Sequence, residues 1–97
     1  MWATTTIEKP RSAGPGTGHG GDWRVIVRND AHNTFEHVAR TLAGVIPGVG
    51  IDQGHRFADQ IHNSGQAIVW SGPREPAEHF WEQLGAAGLT MAPLERG

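Results

Sequence analysis

Three polar residues stand where chemistry could take place. Asn29 and Asp30 come directly after a run of aliphatic residues, a position where a rigid element commonly passes function to a loop. The same residue types also form turns, because they hydrogen-bond their own backbone and tolerate unusual φ angles. His62 is similarly ambiguous, since an imidazole near the end of a predicted helix either binds a ligand or interacts with the helix dipole. Residue type and spacing therefore leave a functional and a structural interpretation open.

The histidines are candidates for metal binding. The chain has 6 His and no Cys, so a metal would have to be held by imidazoles and carboxylates. His55 and His62 share one face of a predicted helix, but a stable site needs further ligands and groups that orient them. No nucleophile lies in the strand–turn–helix elbow that is typical of serine hydrolases. We therefore expect no metal, no cofactor and no catalytic residue, and we predict that the protein is not an enzyme.

The composition restricts the class of protein further. The 97 residues include 8 Lys and Arg against 10 Asp and Glu, which gives a formal net charge of −2. Proteins that bind nucleic acid or anionic membranes need clustered basic residues, and this chain lacks them. No stretch approaches the roughly 20 apolar residues of a membrane span, and the first residues lack the apolar core of a secretory signal. We expect a cytoplasmic protein with neither nucleic acid nor a membrane as its partner.

The chain divides into a tail and one domain. Residues 1–21 are rich in Gly and Pro and contain almost nothing apolar after Ile7. Such a segment cannot bury enough surface to offset the backbone entropy lost on ordering, so we predict a flexible tail. The remaining residues, 22–97, suffice for one small core, and we predict a single domain there.

Apolar periodicity predicts the elements of this domain. Alternation with a period of two indicates strands, and the i, i+3, i+4, i+7 series indicates amphipathic helices. The predicted elements are a strand at 23–28, a helix from Phe35 to Ile46, a helix that follows Asp52 as its N-cap and ends at 63–65, a strand at 66–70, a helix from between Pro73 and Pro76 to Gly88, and an edge strand at 89–94. The order β-α-α-β-α-β predicts an α+β fold, with a small sheet and all three helices packed on one face.

Two segments carry a resemblance to a known family. The segment from Val25 to Asp30 precedes a helix, and the segment from Ile61 to Ile68 follows further along the chain. In this order, with a helix between them, they resemble the ClpS family of adaptor proteins, and the match extends from Trp23 to about Glu95. The resemblance implies a three-stranded antiparallel sheet covered by three helices. It also implies an adaptor that delivers proteins with N-terminal destabilising residues (Leu, Phe, Tyr, Trp) to a Clp-type AAA+ unfoldase.

The resemblance also assigns roles to individual residues. Asn29 and His62 would hold the free α-amino group of the substrate, and Asp30 would assist them. The remaining site positions implied for the hydrophobic pocket are Ala31, Asn33, Phe35, Val38, Ala58, Ile61, Leu89 and Met91. The assignment is chemically reasonable, because an ammonium group has three donors, and an Asn carbonyl, an Asp carboxylate and a neutral imidazole supply acceptors.

The chain departs from the family pattern at three of these positions. Ala31 stands where a second Asp is typical, Asn33 where Thr is typical, and Phe35 where a Met closes the pocket. Loss of one carboxylate should weaken the attraction for an ammonium group. A rigid Phe in place of a pliable Met should reshape the mouth of the pocket.

The predicted third helix offers a second surface. Glu75 and Glu78 lie on one side of it, where acidic residues commonly form a solvated face; the resemblance implies that they contact the unfoldase. Two other functions remain open. One is a protein–protein interaction module of the same fold without an amine pocket, which Ala31 and Phe35 favour, and the other is a His-based metal protein.

Overall fold

The computed structural model describes residues 22–97, and the predicted flexible tail lies outside the described residues. Four strands and three helices are present within this range. In chain order they are β1 (Trp23–Arg28), α1 (Phe35–Val45), α2 (Ile51–Ser64), β2 (Gln66–Gly72), α3 (Arg74–Ala86), β3 (Thr90–Met91) and β4 (Glu95–Arg96). The predicted α+β class and the three helices are confirmed.

The sheet is antiparallel, and β1 lies at its centre. Strand β2 pairs with one edge of β1, whereas β3 and β4 pair with it on the other side. The prediction of a single last strand at 89–94 is therefore wrong, because the strand is interrupted around Pro93, between β3 and β4. Proline has no N–H to donate to a strand ladder, so it interrupts the pairing there. The indole Nε1 of Trp81 donates to the carbonyl of Ala92 at 2.8 Å and ties α3 to this break.

The helix boundaries follow local capping chemistry. Helix α1 begins where the hydroxyl of Thr34 accepts the N–H of His37 at 3.0 Å, a standard N-cap interaction. The prediction that Asp52 caps α2 is wrong, since the N-cap is Gly50 and Asp52 lies in the first turn. Helix α2 ends at Gly65, whose φ of 91° is in the left-handed region that glycine adopts without strain.

The core lies between the sheet and the helices. Its largest fully buried side chains come from the central strand and from two helices: Val25, Val27, Leu42 and Leu84. The pairing of β1 with β2 shifts register once: Val25 lies opposite Trp70, whereas Ile26 lies opposite Ile68. Val69 is therefore an extra residue of β2, which forms a β-bulge there. Within residues 22–97, no helix has the length and apolar composition needed to cross a membrane.

Helices α1 and α2 approach each other closely at one glycine. A Cβ atom added at Gly54 of α2 would lie 2.3 Å from the carbonyl oxygen of Ala39 on α1. That separation is well inside van der Waals contact, so only glycine fits the present spacing of the two helices. Helices α1 and α2 also form two walls of the site described below, so Gly54 allows these walls to lie close together.

Candidate functional site

An open pocket lies where the end of β1 meets the first half of α1 and the second half of α2. It holds about 280 Å³ of empty space, including the part open to solvent. The lining residues are Asn29, Asn33, Thr34, Phe35, Val38, Ala58, Ile61 and His62. The structure thus brings together seven of the residues that the sequence singled out, from two distant segments of the chain.

One backbone hydrogen bond joins the two chain segments that carry Asn29 and His62. The N–H of Asn29 donates to the carbonyl of Gly65 at 2.8 Å. This bond joins the end of β1 to the left-handed turn that ends α2, one turn beyond His62. Asn29 and His62 both line the pocket, and both are exposed to solvent.

The apolar side is formed by both helices. Val38 of α1 and Ala58 and Ile61 of α2 are buried, and they form the floor because the periodicity of each helix turns them toward the core. Phe35 in the first turn of α1 is 47% exposed and therefore lies at the rim rather than in the floor.

The ring of Phe35 is supported from outside the pocket. It stacks on the imidazole of His55, with ring centroids 5.6 Å apart and planes 7° from parallel. The His55 Nε2 is 3.1 Å from Glu36 Oε1, and Arg40 Nε donates to the other oxygen of Glu36 at 3.1 Å. The hydrogen bond from His55 is the main cause that lowers the pKa of Glu36. His55 thus holds the rim residue of α1 against α2, and it does not line the pocket with His62.

Asp30 lies beside the pocket, and its carboxylate is fully engaged. Oδ1 accepts the N–H groups of His32 and Asn33, each at 2.7 Å. Oδ2 accepts the Asn33 amide at 2.7 Å and the Thr90 hydroxyl at 2.6 Å. These bonds, above all those from the Asn33 N–H and the Thr90 hydroxyl, hold the pKa of Asp30 well below its usual range. Asp30 is absent from the lining, where the sequence placed a helper for amine binding.

The lowered pKa of Asp30 predicts a specific behaviour in acid. Because folding favours the ionised carboxylate, its stabilising contribution is complete above the ordinary carboxyl pKa and is lost as pH falls through the lowered value. We expect Asp30→Asn to be less stable than wild type near neutral pH, with the gap closing below about pH 4. Urea unfolding at a series of pH values measures this gap. A gap that stays constant with pH would contradict the assignment.

Three further predicted pocket residues lie elsewhere. Ala31 is exposed in the loop after β1, Leu89 is 5% exposed within the core, and Met91 is half-buried against the core. None of the three is among the lining residues. Thr34 lines the pocket and was missed, although its position immediately before the apolar series of α1 was a signal for it.

The acidic residues of α3 form a separate surface. Glu75 is exposed in the first turn of α3, and Glu78 pairs with Arg74 at 3.0 Å. The guanidinium of Arg74 also lies 5.3 Å from the centre of the Trp23 ring. The pocket is built from the end of β1, from α1 and from α2, so the start of α3 lies outside it.

The histidines do not form a metal site in the part of the chain that the structure describes. Within residues 22–97, no three His, Asp or Glu side chains gather closely enough to hold an ion. His37 Nε2 is 3.0 Å from the carbonyl of Ala87, and His55 contacts Phe35 and Glu36. These contacts account for two histidines as structural residues.

Fold and pocket together define a class of protein. The protein is a small α+β binding domain, whose pocket suits a ligand with hydrogen-bond donors at one end and an apolar side chain at the other. The model of the family described as "ATP-dependent Clp protease adaptor protein ClpS" matches residues 19–95. The chain belongs to the ClpS family.

Individual relatives agree with this assignment. The ClpS protein of a Nostoc species is 55% identical over 74 residues, which are 76% of each chain. That of Thermosynechococcus vestitus is 53% identical over 77 residues, 79% of this chain and 82% of the relative. The solved structure of Agrobacterium tumefaciens ClpS2 bound to L-phenylalaninamide superposes with a TM-score of 0.72 at 25% identity, covering 81% of this chain and 100% of that one.

Proposed function

We propose that this protein is a non-enzymatic adaptor that binds the free α-amino group and the hydrophobic first side chain of N-degron substrates in the cytoplasm. It then delivers those substrates to a Clp-type AAA+ unfoldase and its protease. The ligand in the related Agrobacterium structure, L-phenylalaninamide, combines a free α-amino group with an aromatic side chain. The pocket of the present protein has a polar side that suits the amino group and an apolar side that suits the aromatic ring.

One observation carries the proposal. Asn29 and His62 line the same pocket as the buried side chains Val38 and Ile61, which form its apolar floor. Acceptors on one side suit an ammonium group, and each charge-assisted hydrogen bond contributes about 1.5–3 kcal/mol. Burial of the first side chain in the floor adds roughly 1.5–3 kcal/mol. After the cost of association, we expect an affinity of about micromolar or tighter.

The experiment compares blocked and free peptide termini. Fluorescence anisotropy is measured with labelled peptides that begin with Phe or Leu, each alongside an N-acetylated version. Acetylation removes the charge and two of the N–H donors, so we expect it to weaken binding at least about tenfold. A peptide that begins with Gly tests the apolar floor, because it keeps the ammonium group and lacks the side chain.

Two outcomes decide between this function and its alternative. Equal binding of free and acetylated peptides would contradict amine recognition. If no peptide binds and a folded partner binds stably, the chain is an interaction module of the same fold, which Ala31 and the rigid ring of Phe35 favour.

For the unfoldase contact we propose the exposed start of α3. Glu75 and Glu78 lie on a different element from the pocket, so one molecule can hold a peptide and an unfoldase together. We expect Glu75→Lys to weaken binding to a Clp-type AAA+ ring about tenfold and to leave the peptide affinity unchanged. Glu82→Lys, nearer the other end of the same helix, is the matched control. Wild-type capture of the ring by Glu75→Lys would count against this surface.

A further inference from the structure

Side chains of the loop after β1 connect it to the turn after α3 and to the start of β3. The Asp30 carboxylate accepts the Thr90 hydroxyl at 2.6 Å, and the Asn33 amide donates to the carbonyl of Gly88 at 2.8 Å. Asn33 also donates to Asp30 at 2.7 Å. We call these three side chains, Asp30, Asn33 and Thr90, the clamp. Only Asn33 of the clamp lines the pocket.

Asp30 has no capacity left for a ligand. A carboxylate offers about four lone-pair positions, and four donors from His32, Asn33 and Thr90 already occupy those of Asp30. An ammonium group could bind its oxygens only by displacing one of these donors. The carboxylate therefore fixes the loop rather than the substrate.

Asn33, in contrast to Asp30, keeps one acceptor that no described residue uses. Both N–H groups of its amide are used, one on Asp30 and one on Gly88. These two acceptors determine the orientation of the amide, since the reverse orientation would set its oxygen against two other oxygens. Within residues 22–97, no group donates to the remaining Oδ1 of Asn33. Asn33 thus lines the pocket with an amide that cannot turn and whose oxygen accepts no hydrogen bond from the described residues.

We propose that Asn33 Oδ1 is the third acceptor for the substrate ammonium, beside Asn29 and His62, and that Asp30 and Thr90 are positioning residues that hold it in place. This assignment deepens the proposed function and rests on it. A primary ammonium has three N–H donors, so a third acceptor completes the set. Asn33 then compensates for Ala31, which has no carboxylate to offer.

The test removes one donor from the ligand. Anisotropy is measured with a Phe-initiated peptide and with its N-methyl counterpart, whose secondary ammonium has two N–H donors. Wild type, Asn33→Ala, Thr90→Val and Thr90→Ser are compared by the ratio of the two affinities. Partial unfolding of a variant weakens both peptides equally, so the ratio is insensitive to stability and reports on the amine contacts.

We expect wild type to prefer the primary amine about tenfold, the effect of one charge-assisted bond. In Asn33→Ala the N-methyl group of the peptide can occupy the space that the Asn33 amide leaves. The preference for the primary amine should then fall to about twofold or less. Thr90→Val removes one hydrogen bond of the clamp at a position outside the pocket lining, and its preference for the primary amine should also fall. Thr90→Ser keeps the hydroxyl and should restore the preference.

Each contrary result has a distinct meaning. A wild-type ratio near one, or an unchanged ratio in Asn33→Ala, would overturn the third acceptor and leave amine recognition intact. If Thr90→Val shows the same ratio of affinities as wild type, the positioning role of Thr90 is wrong. Equal wild-type binding of the free and acetylated peptides would overturn the proposed function and this assignment together.

Discussion

Replacing both Asn29 and His62 with alanine is expected to weaken binding of a Phe-initiated peptide by about 100-fold or more. Two charge-assisted hydrogen bonds at about 1.5–3 kcal/mol each account for this loss. The residual binding should come from the apolar floor and from the remaining acceptor proposed at Asn33, so the Asn29→Ala, His62→Ala variant should discriminate against the acetylated peptide much less than wild type does. Anisotropy titrations of both peptides measure the loss and the discrimination together.

Matched controls separate this effect from damage to the fold. Asn63→Ala and His79→Ala remove the same residue types at exposed positions outside the pocket lining, and both should bind as wild type does. A double variant that discriminates against acetylation as strongly as wild type does would refute the roles of both residues.

The second large effect concerns stability. Gly54→Ala is expected to lower the free energy of unfolding by about 1–3 kcal/mol, because the new Cβ meets the Ala39 carbonyl and must push the helices apart. Since Val38 and Ile61 lie on these two helices, their separation should also weaken peptide binding. Urea unfolding and anisotropy on the same sample measure both consequences.

Gly44 supplies the control with the opposite sign. It lies in α1, and a Cβ added there meets nothing within 4 Å. Gly44→Ala should therefore stabilise the protein by about 0.5–1 kcal/mol, because alanine has the better helix propensity. If the two Gly→Ala variants change stability by the same amount and sign, the close contact of α1 with α2 is not what Gly54 provides.

The departures from the family pattern acquire a physical meaning in the structure. Asn33, where Thr is typical, joins the loop after β1 to the turn after α3 through its two amide N–H donors, and it also lines the pocket. Phe35, where Met is typical, is held by its stack on His55, so the rim has less freedom than a methionine would give it. Both changes concern the shape and polarity of the rim, whereas the floor consists of buried side chains set by the core.

Much of the architecture could be predicted from local patterns. The alternation in β1, the apolar series from Phe35 and the glycine at 65 all report interactions within a few residues, and the corresponding elements are present. Where local signals compete, prediction was weaker. Asp52 is a good N-cap residue by type, but the helix begins before it, and Pro93 divides a strand that its apolar neighbours made look continuous.

Residue types and short-range spacing were enough to predict most of the elements, the family resemblance and the candidates Asn29 and His62. Which side chains share a wall of the pocket depends on the tertiary structure. It placed Leu89 in the core, left Thr34 in the pocket and turned the Asp30 carboxylate toward Thr90. The physical reason is that a hydrogen bond between residues far apart in the chain, such as Thr90 to Asp30, depends on how α3 and the sheet pack, and no local pattern encodes that geometry.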